Sequence, residues 1–254
     1  MIRRARTRFH AFSAAIALTA LSACTSLPQH NPLPQWVPSH NFDERRAVVI
    51  VLHYTQHHSA KESLDTLRGE NSTGPVSAHY LIGRDGRIFQ LVADSRRAWH
   101  AGGGRWGTIT DLNSASIGIE LDNDGASPFA EAQIASLLRL LDDLTTRLMI
   151  PKTQIIGHAD LAPTRREDPG PLFPWDRLAA SGYGLWPRGK LRDPPHGFDA
   201  WLALAAIGYS LEDRPAAVRA FHRHFRGNDG TTLDDGDLRL LANLVAQLQT
   251  GTGH

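Results

Sequence analysis

Ala47-Val48-Val49-Ile50-Val51-Leu52 is an unbroken apolar run, four of its residues β-branched, and it ends on His53-Tyr54. A run of this kind, without alternation, marks a strand buried on both faces at the centre of a helix-covered sheet. Further strands are expected around it. Ile117 to Leu121 is a second apolar stretch and Gln154 to Gly157 a short third, while His79 to Gly83 and Arg87 to Val92 flank Asp85-Gly86, a hairpin signal. Helical patterns separate them. Ser59-Ala60-Lys61-Glu62 reads as a capping box opening a helix to about Arg68. Ser127-Pro128 reads as the start of another, with Ser as cap and an apolar stripe at Ile134, Leu137, Leu138, Leu141, Leu144 and Leu148. The pattern predicts an α/β fold with a mixed central β-sheet flanked by helices, over residues 47–190.

Beyond about Pro195 only helical periodicity remains. Trp201, Leu202, Ala205 and Ala206 give one face, Val218, Phe221 and Phe225 a second, and Leu238, Leu241, Val245 and Leu248 a third. Three amphipathic helices over residues 195–250 predict a small all-α domain, with Phe221 and Phe225 in its core.

The other end of the chain reads differently. Arg3, Arg4, Arg6 and Arg8 precede an apolar run from Phe12 to Ala20 and then Leu21-Ser22-Ala23-Cys24, the order of regions in a secretory signal. The run falls short of the roughly 20 residues that span a bilayer. Leu-Ser-Ala-Cys resembles a bacterial lipobox, which implies a lipoprotein signal peptide at 1–23 and a lipid on Cys24, the only cysteine. Export and a lipid anchor in a membrane are therefore expected, and Thr25 after the cysteine is compatible with sorting to the periplasmic face of an outer membrane. Pro28, Pro32, Pro34 and Pro38 make residues 24–46 an extended tether. Removing residues 1–23 takes away four Arg and no acid, leaving 23 basic against 26 acidic residues and a net charge of −3. A nucleic-acid partner then has no electrostatic support.

Thirteen histidines are present, and three positions stand out. His53 and His158 each follow an apolar strand, where an open sheet presents functional groups. Asp168 stands ten residues after His158 in the rigid run Asp168-Pro169-Gly170-Pro171. Two imidazoles and a carboxylate suit a catalytic zinc site with one position left open. Spacing alone does not separate this from histidines that merely end strands, because the three residues are far apart and no short motif joins them.

The stretch from His158 to Pro171, followed by Phe173-Pro174-Trp175, resembles the signature of the N-acetylmuramoyl-L-alanine amidases that share the T7-lysozyme and peptidoglycan-recognition-protein fold, and more narrowly their periplasmic lipoprotein branch. Leu52-His53-Tyr54-Thr55, Val76 to Ile82, Ala98-Trp99-His100-Ala101-Gly102 and Ser116 to Leu121 agree in order and spacing, so the resemblance covers about Ala47 to Trp186. It implies one zinc ion held by His53, His158 and Asp168. It implies that Glu120 is the general base and that Arg166, where the family usually has lysine, stabilises an oxyanion without donating a proton. His79, Trp99 and His100 become candidate substrate contacts. The helical region resembles a peptidoglycan-binding domain, notably at Ala216 to Phe225. The expected activity is hydrolysis of the amide between N-acetylmuramic acid and L-alanine, by a monomer acting on peptidoglycan or muropeptides. A non-catalytic recognition protein on the same fold, a zinc peptidase of the stem peptide and a cytosolic amidase of recycled muropeptides are the rival readings.

Overall fold

The computed structural model describes residues 45–69 and 74–250; the signal and Cys24 expectations lie outside them, as does the tether up to residue 44, while Arg45 at its end donates to the Arg96 and Ser114 carbonyls of the folded part. Five strands form one sheet: β1 (Val49–Tyr54), β2 (Tyr80–Ile82), β3 (Ile88–Gln90), β4 (Ser116–Leu121) and β5 (Ile155–Gly157), in the order β3-β2-β4-β1-β5. The β2–β3 hairpin is antiparallel and every other pairing is parallel. The mixed sheet expected from the sequence is thus present, with β1 inside it and Val49 to Leu52 inaccessible to solvent.

Alternation along β1 and β4 sorts their side chains to two faces. Ile50 and Leu52 join Ile117, Ile119 and Leu121 beneath α3 (Glu131–Arg147), which contributes Ile134, Leu137, Leu141 and Leu144. Val49 and Val51 face the other way. They belong to an apolar cluster with Leu204, Val218, Phe221 and Leu241 of α6 (Ala200–Ile207), α7 (Arg214–Phe225) and α8 (Asp235–Thr250). The three C-terminal helices are those the periodicity predicts, and Phe221 and Phe225 are buried in their core. They share that core with the sheet.

Three short helices escaped the periodicity analysis: α2 (Leu112–Ala115), α4 (His158–Leu161) and α5 (Trp175–Ala180). The helix α1 (Ala60–Leu67) begins as predicted, with Ser59 Oγ accepting from the Glu62 N–H. The start of α3 differs. Ser127 does not cap it, because its N–H and hydroxyl both bond to Asp124, and the helix opens three residues further on at Ala130 with no side-chain cap.

Candidate active site

Parallel pairing sets the site. β1 and β4 run in register with His53 opposite Glu120, and β5 pairs on the other edge of β1 with Leu52 opposite Gly157, so His158 follows at the same end. Apolar neighbours fill the strands; polar groups appear where the strands end. Asp168 arrives from the loop after α4, its carbonyl accepting from the Ala159 N–H at 2.8 Å. Gly157 permits that approach, because a Cβ there would stand 2.7 Å from Cδ of Pro169.

Three atoms meet. His53 Nδ1 is 3.0 Å from His158 Nδ1 and 2.9 Å from Asp168 Oδ2, and the third side of the triangle is 3.1 Å. All three residues are buried. The hydrogen-bond network fixes which ring nitrogens carry protons. Ser116 Oγ donates to the Leu112 carbonyl at 2.5 Å and so accepts from His100 Nε2 at 3.3 Å. That leaves His100 Nδ1 as an acceptor for His53 Nε2–H, 3.0 Å away. His158 Nε2–H donates to the Ala101 carbonyl at 3.0 Å. Both Nδ1 atoms therefore direct lone pairs at a carboxylate oxygen, with no proton among them to share. Three converging acceptors need a cation. Tetrahedral ligands at about 2.0–2.1 Å from an ion stand about 3.3–3.4 Å apart, close to the spacing found here.

Electrostatics agree with a metal-ready state. Burial, reinforced by His158, lowers the His53 pKa to about 4, so the ring is neutral at pH 7. Burial opposes charge on Asp168 too, but positive charge on the facing imidazoles outweighs it and holds the carboxyl below its usual range; with the rings neutral, a bound cation would have to take over that part.

Glu120 lies beside this triad in a groove of about 300 Å³ that His53, His100, His158, Asp168, Trp99 and Arg166 also line. Its Oε2 is buried without a hydrogen-bond partner among the described residues. Burial first, and then the charge of Asp168, push its pKa well above the ordinary carboxylate value, while Arg166 opposes them. A buried carboxylate oxygen with nothing to accept from is poised to take a proton. Trp99 is 48% exposed at the rim, its backbone tied to Ser77 by two hydrogen bonds.

His79 is placed elsewhere. It is wholly buried outside the groove, its Nδ1 accepting from the Gly118 N–H at 3.0 Å and its Nε2 3.1 Å from the Arg96 carbonyl. It braces β4 behind His100, and a substrate contact is closed to it. His100 does line the groove, yet both ring nitrogens are engaged by Ser116 and His53. Its hydrogen bond to His53 is its link to the three converging ligand atoms.

Other parts of the site were not joined by any sequence signal. Asp160, two residues past His158, is buried and accepts from Gly157 N–H, Tyr209 Oη and His224 Nδ1, each at 2.7 Å. Tyr209 and His224 come from the C-terminal helical region, which thereby grips the segment bearing a metal-ligand candidate. Among the described residues no helix is long and apolar enough to cross a membrane.

A family model described as N-acetylmuramoyl-L-alanine amidase matches residues 43–171. The chain is 37% identical over 235 residues to N-acetylmuramoyl-L-alanine amidase AmiD of Escherichia coli K12, covering 80% of this chain and 82% of that protein. It superposes on the structure of E. coli AmiD with the substrate anhydro-N-acetylmuramic acid-L-Ala-D-γ-Glu-L-Lys at a TM-score of 0.72, 33% identity, covering 83% of this chain and 93% of the other. The Pseudomonas aeruginosa AmpDh3 structure in complex with anhydromuramic pentapeptide matches with a TM-score of 0.70, 31% identity, and covers 87% and 99%.

Proposed function

The chain belongs to the N-acetylmuramoyl-L-alanine amidase family, and from that premise we propose that it is a zinc-dependent amidase cutting the bond between the lactyl group of N-acetylmuramic acid and L-alanine in peptidoglycan or its muropeptides. The observation that carries the zinc is the convergence of His53 Nδ1, His158 Nδ1 and Asp168 Oδ2 beside an unpartnered Glu120 oxygen. These three residues would hold one ion, which when bound supplies Lewis acidity towards a carbonyl and makes water more acidic.

The chain's own groups do the remainder. Glu120 Oε2 takes a proton from the attacking water and returns it to the leaving amine of L-alanine. Arg166 lines the same groove and supplies a fixed positive charge for the oxygen that becomes negative on attack. A guanidinium holds its protons in proteins and is no proton donor, so that work falls to Glu120. Trp99, exposed at the rim, offers a flat apolar face for the sugar or the first peptide unit.

We further propose that the protein works at a membrane surface, held by a lipid on Cys24 and exported by the segment before it. Fractionation of cells tests this placement; recovery of the protein in the soluble fraction overturns the anchor.

Mass spectrometry of muropeptides incubated with the protein, with and without a chelator, tests the activity. Release of stem peptide beginning at L-alanine, abolished by chelator and restored by zinc, is the expected result. Binding without cleavage, or cleavage inside the stem, overturns it.

A further inference from the structure

The groove does not end at Arg166. Tyr54, Gln56, Arg166 and Asp168 also line a second cavity of about 320 Å³ that runs on to Arg219 and Arg223 of α7. Trp99 borders only the first cavity and α7 only the second, so the two ends of the groove differ in chemistry: aromatic at one, cationic at the other.

Four guanidinium groups face the second cavity, and they are not equivalent. Arg165 is committed to the carbonyls of Ala101 and Gly103. Arg223 pairs with Asp229 at 2.5 Å and lies 3.7 Å from Glu167, whose carboxylate also accepts from Tyr54 Oη at 2.9 Å. Arg166 and Arg219 have no ion-pair or hydrogen-bond partner for their side chains among the described residues. Arg219 is thus an uncommitted guanidinium on the same wall as Arg166; four guanidinium groups here face the carboxylates of Glu167, Asp168 and, paired with Arg223, Asp229, and the positive charge left over makes a site for an anion.

We infer that this cavity is a carboxylate subsite of the groove, in which Arg219 binds an anionic group of the peptide stem, while Arg166, at the junction of the two cavities, keeps its charge for the scissile carbonyl oxygen. The inference rests on the amidase reading above. A stem with a γ-linked second residue keeps that residue's α-carboxylate free, five bonds from the scissile nitrogen and about 6 Å away in an extended chain. The planar guanidinium fork matches a carboxylate in two parallel hydrogen bonds, which a lysine cannot reproduce. Because Arg219 stands on α7, the C-terminal helices contribute to substrate choice as well as to the core.

The test compares two muropeptides that differ only at the second residue, one with a free α-carboxylate and one with the α-amide. Calorimetry on the full zinc-loaded chain carrying Glu120→Gln, which leaves the substrate intact, reads their affinities. The acid should bind roughly ten-fold tighter than the amide. Adding Arg219→Gln should abolish that preference, and Arg219→Lys should retain part of it. Equal affinities with Arg219 in place, or a preference that survives Arg219→Gln, overturn the subsite. Cleavage of the same pair by the unsubstituted protein is followed separately by mass spectrometry. Failure to cut either one overturns the amidase reading, while the affinity ratio still decides the subsite.

Discussion

The His100 ring lies over Gly118, so close that a Cβ on that glycine would stand 2.4 Å from the ring's Cγ. Gly118 is the middle of β4, two residues from Glu120 on the same face. The missing side chain is what lets His100 cross the strand, reach Ser116 on one side and His53 on the other, and hold His53 with Nδ1 facing inward. A glycine in a buried strand thus sets the protonation pattern of a residue on the neighbouring strand.

Gly118→Ala should therefore displace His100. The expected cost is about 1–3 kcal/mol in stability from overpacking. Zinc affinity should fall as well, because His53 loses the acceptor that orients it. Urea unfolding and competition with a chromogenic chelator read the two effects. A stability loss with unchanged zinc affinity would show that His100 does not orient the ligand.

Ser116→Ala probes the same relay without crowding. It removes the acceptor for His100 Nε2–H and frees the ring to present either nitrogen to His53. Outer hydrogen bonds to metal-bound histidines typically govern 10–100-fold in affinity, and a fall at the lower end of that range is expected. The same chelator competition checks it.

His79 sets an acid limit on stability. Burial, the largest effect on it, lowers its pKa to about 4 from an ordinary value near 6.5. The unfolded chain then binds a proton between these values that the folded chain refuses. Stability is fully present above about pH 6.5 and is lost as pH falls towards 4. The contribution lost between pH 7 and pH 5 is about 2 kcal/mol. Unfolding of the metal-free protein at the two pH values, beside His79→Asn, measures it. The variant should lose about that much less between them.

Glu120 and Arg166 are coupled through charge, which gives a second pH dependence. Burial and Asp168 favour the protonated Glu120, and Arg166 favours the ionised form. The base works only when ionised, so kcat/KM should fall on the acid side as Glu120 protonates. Arg166→Ala removes the opposing charge, and the acid limb should move to higher pH as well as the maximum dropping by about 10²–10³-fold. Glu120→Gln should flatten that limb and cost about 10²–10⁴-fold in kcat. A limb that stays in place in Arg166→Ala would assign it to another group.

What the sequence exposed and what it hid follow from how local each signal is. The run from Ala47 to Leu52 specifies a two-face-buried strand by itself, and the stripe from Ile134 to Leu144 specifies a helix by itself, so the sheet and its main cover were legible. His53, His158 and Asp168 were legible only as strand ends and a loop carboxylate; register between β1, β4 and β5 is what brings them within 3.1 Å of one another. His79 was misplaced because sequence shows its type and neighbourhood, not that its ring points behind β4 towards the Gly118 amide. Ser127 was misread as a cap because Asp124, three residues earlier, claims its hydroxyl first. Asp160 and His224 fall inside stretches read by resemblance, but nothing joined them to each other or to Tyr209, since the three are spread over 65 residues and meet only when the C-terminal helices fold onto the sheet.

That last meeting can be tested directly. The Asp160 carboxylate has three donors, each at 2.7 Å, in an environment closed to water, and His224 is further stacked on Trp175 with ring centroids 3.7 Å apart. Tyr209→Phe removes one neutral donor and keeps the ring's packing against Trp106, so it should cost about 0.5–1.5 kcal/mol. Asp160→Ala is different in kind, because it strands three buried donors at once, each worth about 1–3 kcal/mol when unsatisfied. The two losses should not scale as one to three: the Gly157 N–H begins the turn that carries His158, so Asp160→Ala should also weaken zinc binding, whereas Tyr209→Phe should leave it nearly unchanged. Unfolding curves for the zinc-loaded and metal-free forms of both variants separate these effects. If Asp160→Ala lowers the stability of the two forms equally, its carboxylate holds the C-terminal helices to the sheet and has no part in placing His158.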